Sequence, residues 1–311
     1  MNKIKNIAVL GAGSWGTAIS CHVSSIHKQV KLFARNKSIL EEIASNRTNS
    51  KYLPNINLPK NIIASSDIQD LFDSDLIVIA VPSSAVLQVL DQLKLANLPS
   101  NVILLVATKG ILHDPIELIS DKINTLFPNP VAILSGPNFA IEVAQGLLTY
   151  ATIGSEDAKI ANQIAQSLNS SKFIVNTTDD IITLQVAGAI KNITAICSGM
   201  YESMGYKKNA RASLITRGLN EILTLSKALG GTTSALLTDG VLGDLVLTCY
   251  SQTSRNTKFG YQVIHQSDKA EFLKNYPYLV EGIESLKSVM ELSDKYKLDM
   301  PITKFAFKNL Y

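Results

Sequence analysis

A short apolar run, Ile7-Ala8-Val9-Leu10, leads directly into Gly11-Ala12-Gly13-Ser14-Trp15-Gly16, after which Thr17-Ala18-Ile19 opens a helical pattern. No other stretch constrains the fold as strongly. In a strand, G-x-G-x-x-G, helix succession, the first glycine (Gly11) permits a tight turn. The second (Gly13) lets backbone approach a pyrophosphate, and the third (Gly16) lets the helix pack closely on the strand. The alternative is a glycine turn that binds nothing, and the strand before and helix after favour the dinucleotide.

The first half of the chain repeats this alternation. Ile7–Leu10, Val30–Phe33, Leu76–Val81, Val102–Ala107 and Val131–Leu134 are short, nearly continuous apolar runs, as parallel strands covered on both faces require. Helical patterns lie between them at Thr17–Ser25, Ile39–Ala44, Ala85–Leu93 and Ile116–Phe127. Tyr150–Ile153, Asp157–Leu168 and Phe173–Val175 extend the series. The expected architecture is α/β, an N-terminal Rossmann-type doubly wound parallel sheet over residues 1–178. From residue 179 onward only helical segments follow: Asp180–Met200, Ala212–Leu229, Thr233–Leu237, Phe259–Gln266 and Glu284–Tyr296, with room for one short helix at the end. Residues 179–311 are therefore expected to form an all-α domain, starting where Thr177-Thr178-Asp179-Asp180 offers an N-cap. A length of 311 residues suits two domains.

The end of the second strand bears on the choice of dinucleotide. An NAD-selective site places an acid about 20 residues beyond the motif, but this strand ends in Ala34-Arg35-Asn36. Arg35 can face a 2′-phosphate or stack on adenine, which favours NADP(H) with NAD(H) also open; a solvated surface arginine is the other reading.

Lys191 is the most informative residue of the second half. It sits in an apolar helical stretch with Ala187, Gly188, Thr194 and Ala195 on its own face. Small neighbours leave space for a ligand, and an ammonium in such surroundings has a lowered pKa suited to proton transfer near neutral pH. A lysine reaching out from the rim of a core helix is the alternative. Ala107-Thr108-Lys109-Gly110 and Ser135-Gly136-Pro137-Asn138-Phe139-Ala140 each follow a strand, where open α/β sheets bind ligands. Either alone is an ordinary turn; two at one sheet edge point to a site. Ser254-Arg255-Asn256 offers a clamp for phosphate or carboxylate, and Asp244 is placed to orient Lys191 or a substrate hydroxyl. A phosphorylated small molecule is the substrate class these groups suit.

Several classes are disfavoured. The net charge is +3, with no run of five Lys/Arg, so neither nucleic acid nor a membrane surface is an expected partner. Cys21, Cys197 and Cys249 show no C-x-x-C spacing, which argues against disulfides and structural zinc and for the cytoplasm. His22, His27, His113 and His265 have no metal-ligand spacing, and no G-x-S-x-G elbow is present. The start of the chain lacks signal-peptide character, and polar Gln185, Lys191 and Asn192 mark Ile181–Met200 as a buried helix and not a membrane span.

In order along the chain, the glycine motif, Tyr52-Leu53-Pro54, Ala107-Thr108-Lys109-Gly110, Ser135–Ala140, Gly188-Ala189-Ile190-Lys191-Asn192, Asn209–Gly218, Gly243–Cys249, Ser254-Arg255-Asn256, Val280-Glu281-Gly282 and Met300-Pro301-Ile302 resemble the bacterial NAD(P)-dependent glycerol-3-phosphate dehydrogenases. The resemblance implies a cytoplasmic homodimer that interconverts dihydroxyacetone phosphate and sn-glycerol 3-phosphate and feeds phospholipid synthesis. It implies Lys191 as general acid and base, with Lys109, Gly136, Asn138, Asp244, Ser254, Arg255 and Asn256 around the substrate. It further implies Ser14, Trp15, Arg35, Lys109, Ala140, Arg255, Leu279 and Glu281 at the cofactor, for which the strand end at Arg35 favours NADPH. Three departures stand out: Asn138 replaces the family's usual Ser or Thr, Val241 its usual glycine, and the C-terminus is shorter than typical. The neighbouring alternative is a ketopantoate reductase, which gives no reason for two lysines and the Ser-Arg-Asn segment. A dinucleotide-sensing regulator without turnover is the other. Either way, the small net charge conceals a local concentration at Lys109, Lys191 and Arg255, where an anion would be focused.

Overall fold

The computed structural model describes residues 3–311. They form two compact units: the chain up to Thr108 together with Ser120–Asp179, and Lys109–Ile119 together with Asp180–Tyr311. Lys109–Ile119 thus belongs to the second unit although it interrupts the sequence of the first.

The first unit alternates β1 (Ile7–Leu10), α1 (Ser14–Ser24), β2 (Val30–Phe33), α2 (Lys37–Asn46), β3 (Ile62–Ser65), β4 (Leu76–Ile79), α3 (Val86–Leu95), β5 (Ile103–Val106), α4 (Ile119–Leu126), β6 (Val131–Ser135), α5 (Ala140–Ala144), β7 (Thr149–Gly154), α6 (Ala158–Leu168) and β8 (Phe173–Thr178). The eight strands make one sheet in the order β3-β2-β1-β4-β5-β6-β7-β8. Every residue of β1, β4 and β5 is buried, which explains their unbroken apolar sequences. Chain order runs outward from β1 in one direction and from β4 in the other. The carboxyl ends of β1 and β4 therefore form the switch point at which such sheets bind ligands.

Two details depart from the sequence reading. The strand β3 escapes notice because it is a sheet edge with Ile63 45% exposed and lacks the continuous burial of its neighbours. The sheet is also not wholly parallel: β6 and β7 pair antiparallel. Only the five-residue α5 separates them, too little helix to carry the chain back across the sheet as a parallel crossover would.

The second unit is helical: α7 (Ile181–Ser203), α8 (Lys208–Ala228), α9 (Asp244–Tyr250), α10 (Arg255–Val263), α11 (Lys269–Asn275), α12 (Glu281–Lys295) and α13 (Pro301–Leu310). Asp180 caps α7 by accepting from Thr183 N at 3.1 Å, and α8, α9, α10, α12 and α13 pack around it. The length and hydropathy of α7 would suffice to cross a membrane, but 94% of its most apolar window is buried, as in a core helix. Glu221 of α8 is buried and accepts from Thr303 N at 3.1 Å and Thr303 Oγ1 at 2.6 Å and from Ile302 N. It thereby docks the start of α13.

Thr233–Leu237, expected as a helix, is a turn, and a single π turn at Asp239–Gly243 follows it and leads into α9. No long apolar stripe sustains a helix there. Short and without buried residues, α11 gives no apolar periodicity in the sequence; Asp268 caps it by accepting from Glu271 N at 2.8 Å.

Candidate active site

In the first unit the glycine motif is built of backbone. A Cβ on Gly16 would lie 1.8 Å from the Gly11 carbonyl oxygen, so any side chain there would push the helix off the strand. A Cβ on Gly13 would meet nothing within 4 Å, leaving open space above the loop. No side chain caps α1, whose first backbone N–H groups are thus available to an anion. Asn49 braces the loop from outside by donating to Ala12 O at 2.9 Å, and Ser14 Oγ donates to Tyr52 O at 2.6 Å. A cavity of about 240 Å³ lies here, lined among others by Gly11, Gly13, Phe33, Arg35, Tyr52 and Pro82. The Trp15 indole N–H is buried without a partner. An open cradle over Gly13, a free helix start and an unpaired donor together fit a dinucleotide.

Arg35, exposed after β2, donates to Gln88 Oε1 at 2.7 Å and lines the same cavity. In the loop after β6, Asn138 donates to Tyr150 O at 2.8 Å, while its own Oδ1 is buried and unpaired. Gly136 lies under it: a Cβ there would approach Tyr150 O to 2.6 Å. Ala140 is the first residue of α5.

The second unit gathers the charged residues. Lys109 Nζ donates to Asp244 Oδ2 at 2.5 Å, and Lys191 Nζ donates to Asp244 Oδ1 at 2.6 Å. Lys191 also reaches Thr248 Oγ1 at 3.3 Å, and that hydroxyl donates to Asp244 O at 2.6 Å. Lys191 and Asp244 are 7% and 2% exposed, so this is a buried cluster. Two ammoniums on one carboxylate leave a single positive charge in excess. Burial pushes Lys191 down to about 8, aided by Lys109 and opposed by Asp244. Burial alone would raise the Asp244 carboxyl, but the two ammoniums outweigh it and hold it below the usual range.

A polar chain adjoins the cluster. Asn192 Nδ2 reaches Glu281 Oε2 at 3.4 Å, Asn256 Nδ2 donates to Asn192 Oδ1 at 3.0 Å, and Gly282 N donates to Asn256 Oδ1 at 3.0 Å. Burial raises the Glu281 carboxyl, against the pull of Lys191, Lys109 and Arg255. The Ser-Arg-Asn segment divides its duties. Ser254 caps α10 by accepting from Thr257 N at 3.3 Å, Asn256 belongs to the polar chain, and Arg255 is the exposed member. Leu279, just before α12, is 43% exposed.

Comparison with known proteins decides the family. Residues 6–161 match the family model described as the NAD-dependent glycerol-3-phosphate dehydrogenase N-terminus, and residues 180–311 match the corresponding C-terminus. This chain belongs to the NAD-dependent glycerol-3-phosphate dehydrogenase family. A relative from Rickettsia typhi, named glycerol-3-phosphate dehydrogenase [NAD(P)+], is 52% identical over 97% of this chain and 96% of its own length. The crystal structure of glycerol-3-phosphate dehydrogenase from Coxiella burnetii superimposes with a TM-score of 0.92 at 32% identity, covering 99% of this chain and 95% of that one. A ketopantoate reductase from Ralstonia eutropha reaches a TM-score of 0.65 at 16% identity, over 97% of this chain and 96% of that one, which shows a shared fold alone.

For a member of the glycerol-3-phosphate dehydrogenase family, the departure at Val241 is locally accommodated. Val241, where the family usually has glycine, is fully buried in the π turn, and Asp244 still opens α9 with both carboxylate oxygens engaged. One inference from sequence needs correction. The small residues beside Lys191 do not simply leave ligand space: Gly188 receives Lys109, whose Cβ would lie 3.3 Å from a Cβ at that position, and Ala187 and Ala195 are packed in the core. Sequence reasoning missed Thr248 and Asn49. Thr248 was findable, since four residues after Asp244 on a helix it must share that residue's face; Asn49 carries no such signal.

Proposed function

We propose that this chain interconverts dihydroxyacetone phosphate and sn-glycerol 3-phosphate with NAD(P), and that Lys191 gives the proton to the ketone oxygen in reduction and takes it back in oxidation. The observation that carries this is one buried carboxylate, Asp244, shared by Lys109 and Lys191. Its role is to hold the Lys191 ammonium in one orientation and support its charge while burial keeps its pKa lowered, so that it both donates to a developing alkoxide and can be regenerated. Lys109 brings the second positive charge, and the net excess suits an anionic substrate, with exposed Arg255 as the partner for its phosphate. Gly11, Gly13, Ser14, Trp15, Gly16 and Arg35 would hold the dinucleotide, which supplies the hydride when bound. Arg35, with no acid after β2, supports a preference for NADPH. Gly136, Asn138, Ala140, Ser254, Asn256, Leu279 and Glu281 complete the substrate and cofactor contacts in this reading.

Three buried free thiols are in keeping with a reducing cytoplasm. The homodimer and the supply of glycerol 3-phosphate to phospholipid synthesis follow from the family resemblance. Lys191 donates only as an ammonium, so kcat for reduction is full below about pH 8 and declines above it, while oxidation does the reverse. The test is NADPH oxidation with dihydroxyacetone phosphate as sole acceptor, with ketopantoate as control. Turnover of dihydroxyacetone phosphate alone, falling above pH 8, is expected; turnover only with ketopantoate overturns the reading.

A further inference from the structure

We infer that Arg211 is a positioning residue for this reaction, clamping the C-terminal end of α9 to α7 so that Asp244 stays in register with Lys191. The inference rests on the roles given above to Lys191 and Asp244. Arg211 lies on α8, its side chain only 12% exposed, and it uses three nitrogens on two other helices. Nε donates to Ser198 Oγ at 3.1 Å, Nη1 lies 3.2 Å from Glu202 Oε2, and Nη2 donates to Cys249 O at 2.9 Å. Ser198 Oγ donates to the same Cys249 carbonyl at 2.7 Å. The guanidinium also sits 5.2 Å from the centre of the Tyr250 ring.

The placement of these contacts gives the clamp its meaning. Ser198 follows Lys191 by seven residues on α7, two turns along the same face and about 10 Å away. Cys249 and Asp244 occupy opposite ends of α9. This helix is therefore tied to α7 twice, through Asp244 and Lys191 at its start and through Cys249, Ser198 and Arg211 at its end. The Cys249 carbonyl belongs to the last turn and has no partner within its helix, so a cation there also complements the helix dipole. Thr248 O, one residue earlier, is held by Thr257 Oγ1 at 3.0 Å. Without the distal tie, α9 pivots about Asp244, and the carboxylate no longer meets Lys191 at its present distance and angle. Lysine cannot replace this arginine, because an ammonium cannot reach three acceptors on two helices in one plane.

Loosening the Asp244 contact weakens the main support of the Lys191 ammonium. The charged and titratable groups facing Lys191 are Asp244 and Cys249 from α9, Lys109 from the 109–119 segment and Glu281 from α12. Asp244 and Cys249 both travel with α9, and of these two only the Asp244 carboxylate stabilises the charge directly. The pH at which reduction declines should then fall, and Arg211→Lys tests this without changing the net charge.

The experiment follows kcat, KM for dihydroxyacetone phosphate and the pH profile of reduction at saturating NADPH, with thermal unfolding in parallel, for Arg211→Lys, Ser198→Ala and Lys191→Met. Arg211→Lys is expected to lose about 10- to 100-fold in kcat, the scale of a misplacement near 1 Å, and to move the pH midpoint downward. Ser198→Ala should shift it less, in the same direction, and decides alone if Arg211→Lys does not fold. An unchanged midpoint in the folded variants overturns the inference even where kcat has fallen, since lost stability by itself leaves the midpoint in place. Lys191→Met separates the two levels. If it is inactive while the midpoints hold, only the clamp fails; if it turns over, the reading of the site fails.

Discussion

The glycine loop of the first unit and the lysine cluster of the second are both expected to hold anions, yet they are made in opposite ways. The loop is contiguous, Gly11 to Gly16, and works through backbone N–H groups and the lack of side chains. The cluster joins Lys109, Lys191 and Asp244, distant in sequence, and works through side-chain charge out of water. A backbone site follows from local geometry and is stable without its ligand. A buried charge cluster exists only while three separate elements hold it, and its electrostatics depend on all of them. Binding and chemistry should therefore be separable by mutation.

The most severe test is Lys191→Met. Reduction should lose about 10²- to 10⁴-fold in kcat, the usual scale of general acid catalysis, with NADPH affinity little changed by fluorescence titration. Asp244 keeps Lys109 as its partner in that variant, so the protein should still fold. A matching loss of NADPH affinity would break the comparison by making the two sites one thermodynamic unit.

Gly13→Ala is the converse and a smaller effect. Its methyl meets no protein atom, so thermal stability should be unchanged, while it stands where a pyrophosphate approaches. NADPH KM should rise about tenfold or more, roughly 1.4 kcal/mol, with kcat nearly preserved. A stability loss without any change in KM would mean that the open space serves the fold instead. The weakest effect is expected from Arg35→Ala, since the guanidinium is exposed and screened. The ratio of kcat/KM for NADPH to that for NADH should drop about fivefold, measured in parallel assays; an unchanged ratio would assign preference elsewhere along the cavity.

How much was legible follows the same division. Strands buried on both faces announce themselves as apolar runs, so β1, β2, β4, β5 and β6 were readable, and edge strand β3, with Ile63 in solvent, was not. The start of α7 was readable to within a few residues from Thr177-Thr178-Asp179-Asp180, because a capping signal is local, and the structure gives the cap to Asp180. The turn at 234–237 reads as a helix from sequence, and the π turn after it gives no sequence signal of its own. Arg211 stood within a recognised segment, but nothing in that segment says that its three nitrogens meet Ser198, Glu202 and Cys249.

What the sequence determined by itself was the class of fold, the glycine turn after β1 and the candidacy of Lys191, because each depends on periodicity or on residue type at short spacing. Only the tertiary structure decided that Lys109 and Lys191 share one carboxylate, that Gly188 makes room for Lys109, and that Arg211 ties α9 to α7. Those relations are between elements far apart in the chain. Burial sets their strength, and burial is a property of the packed molecule and of no segment in it.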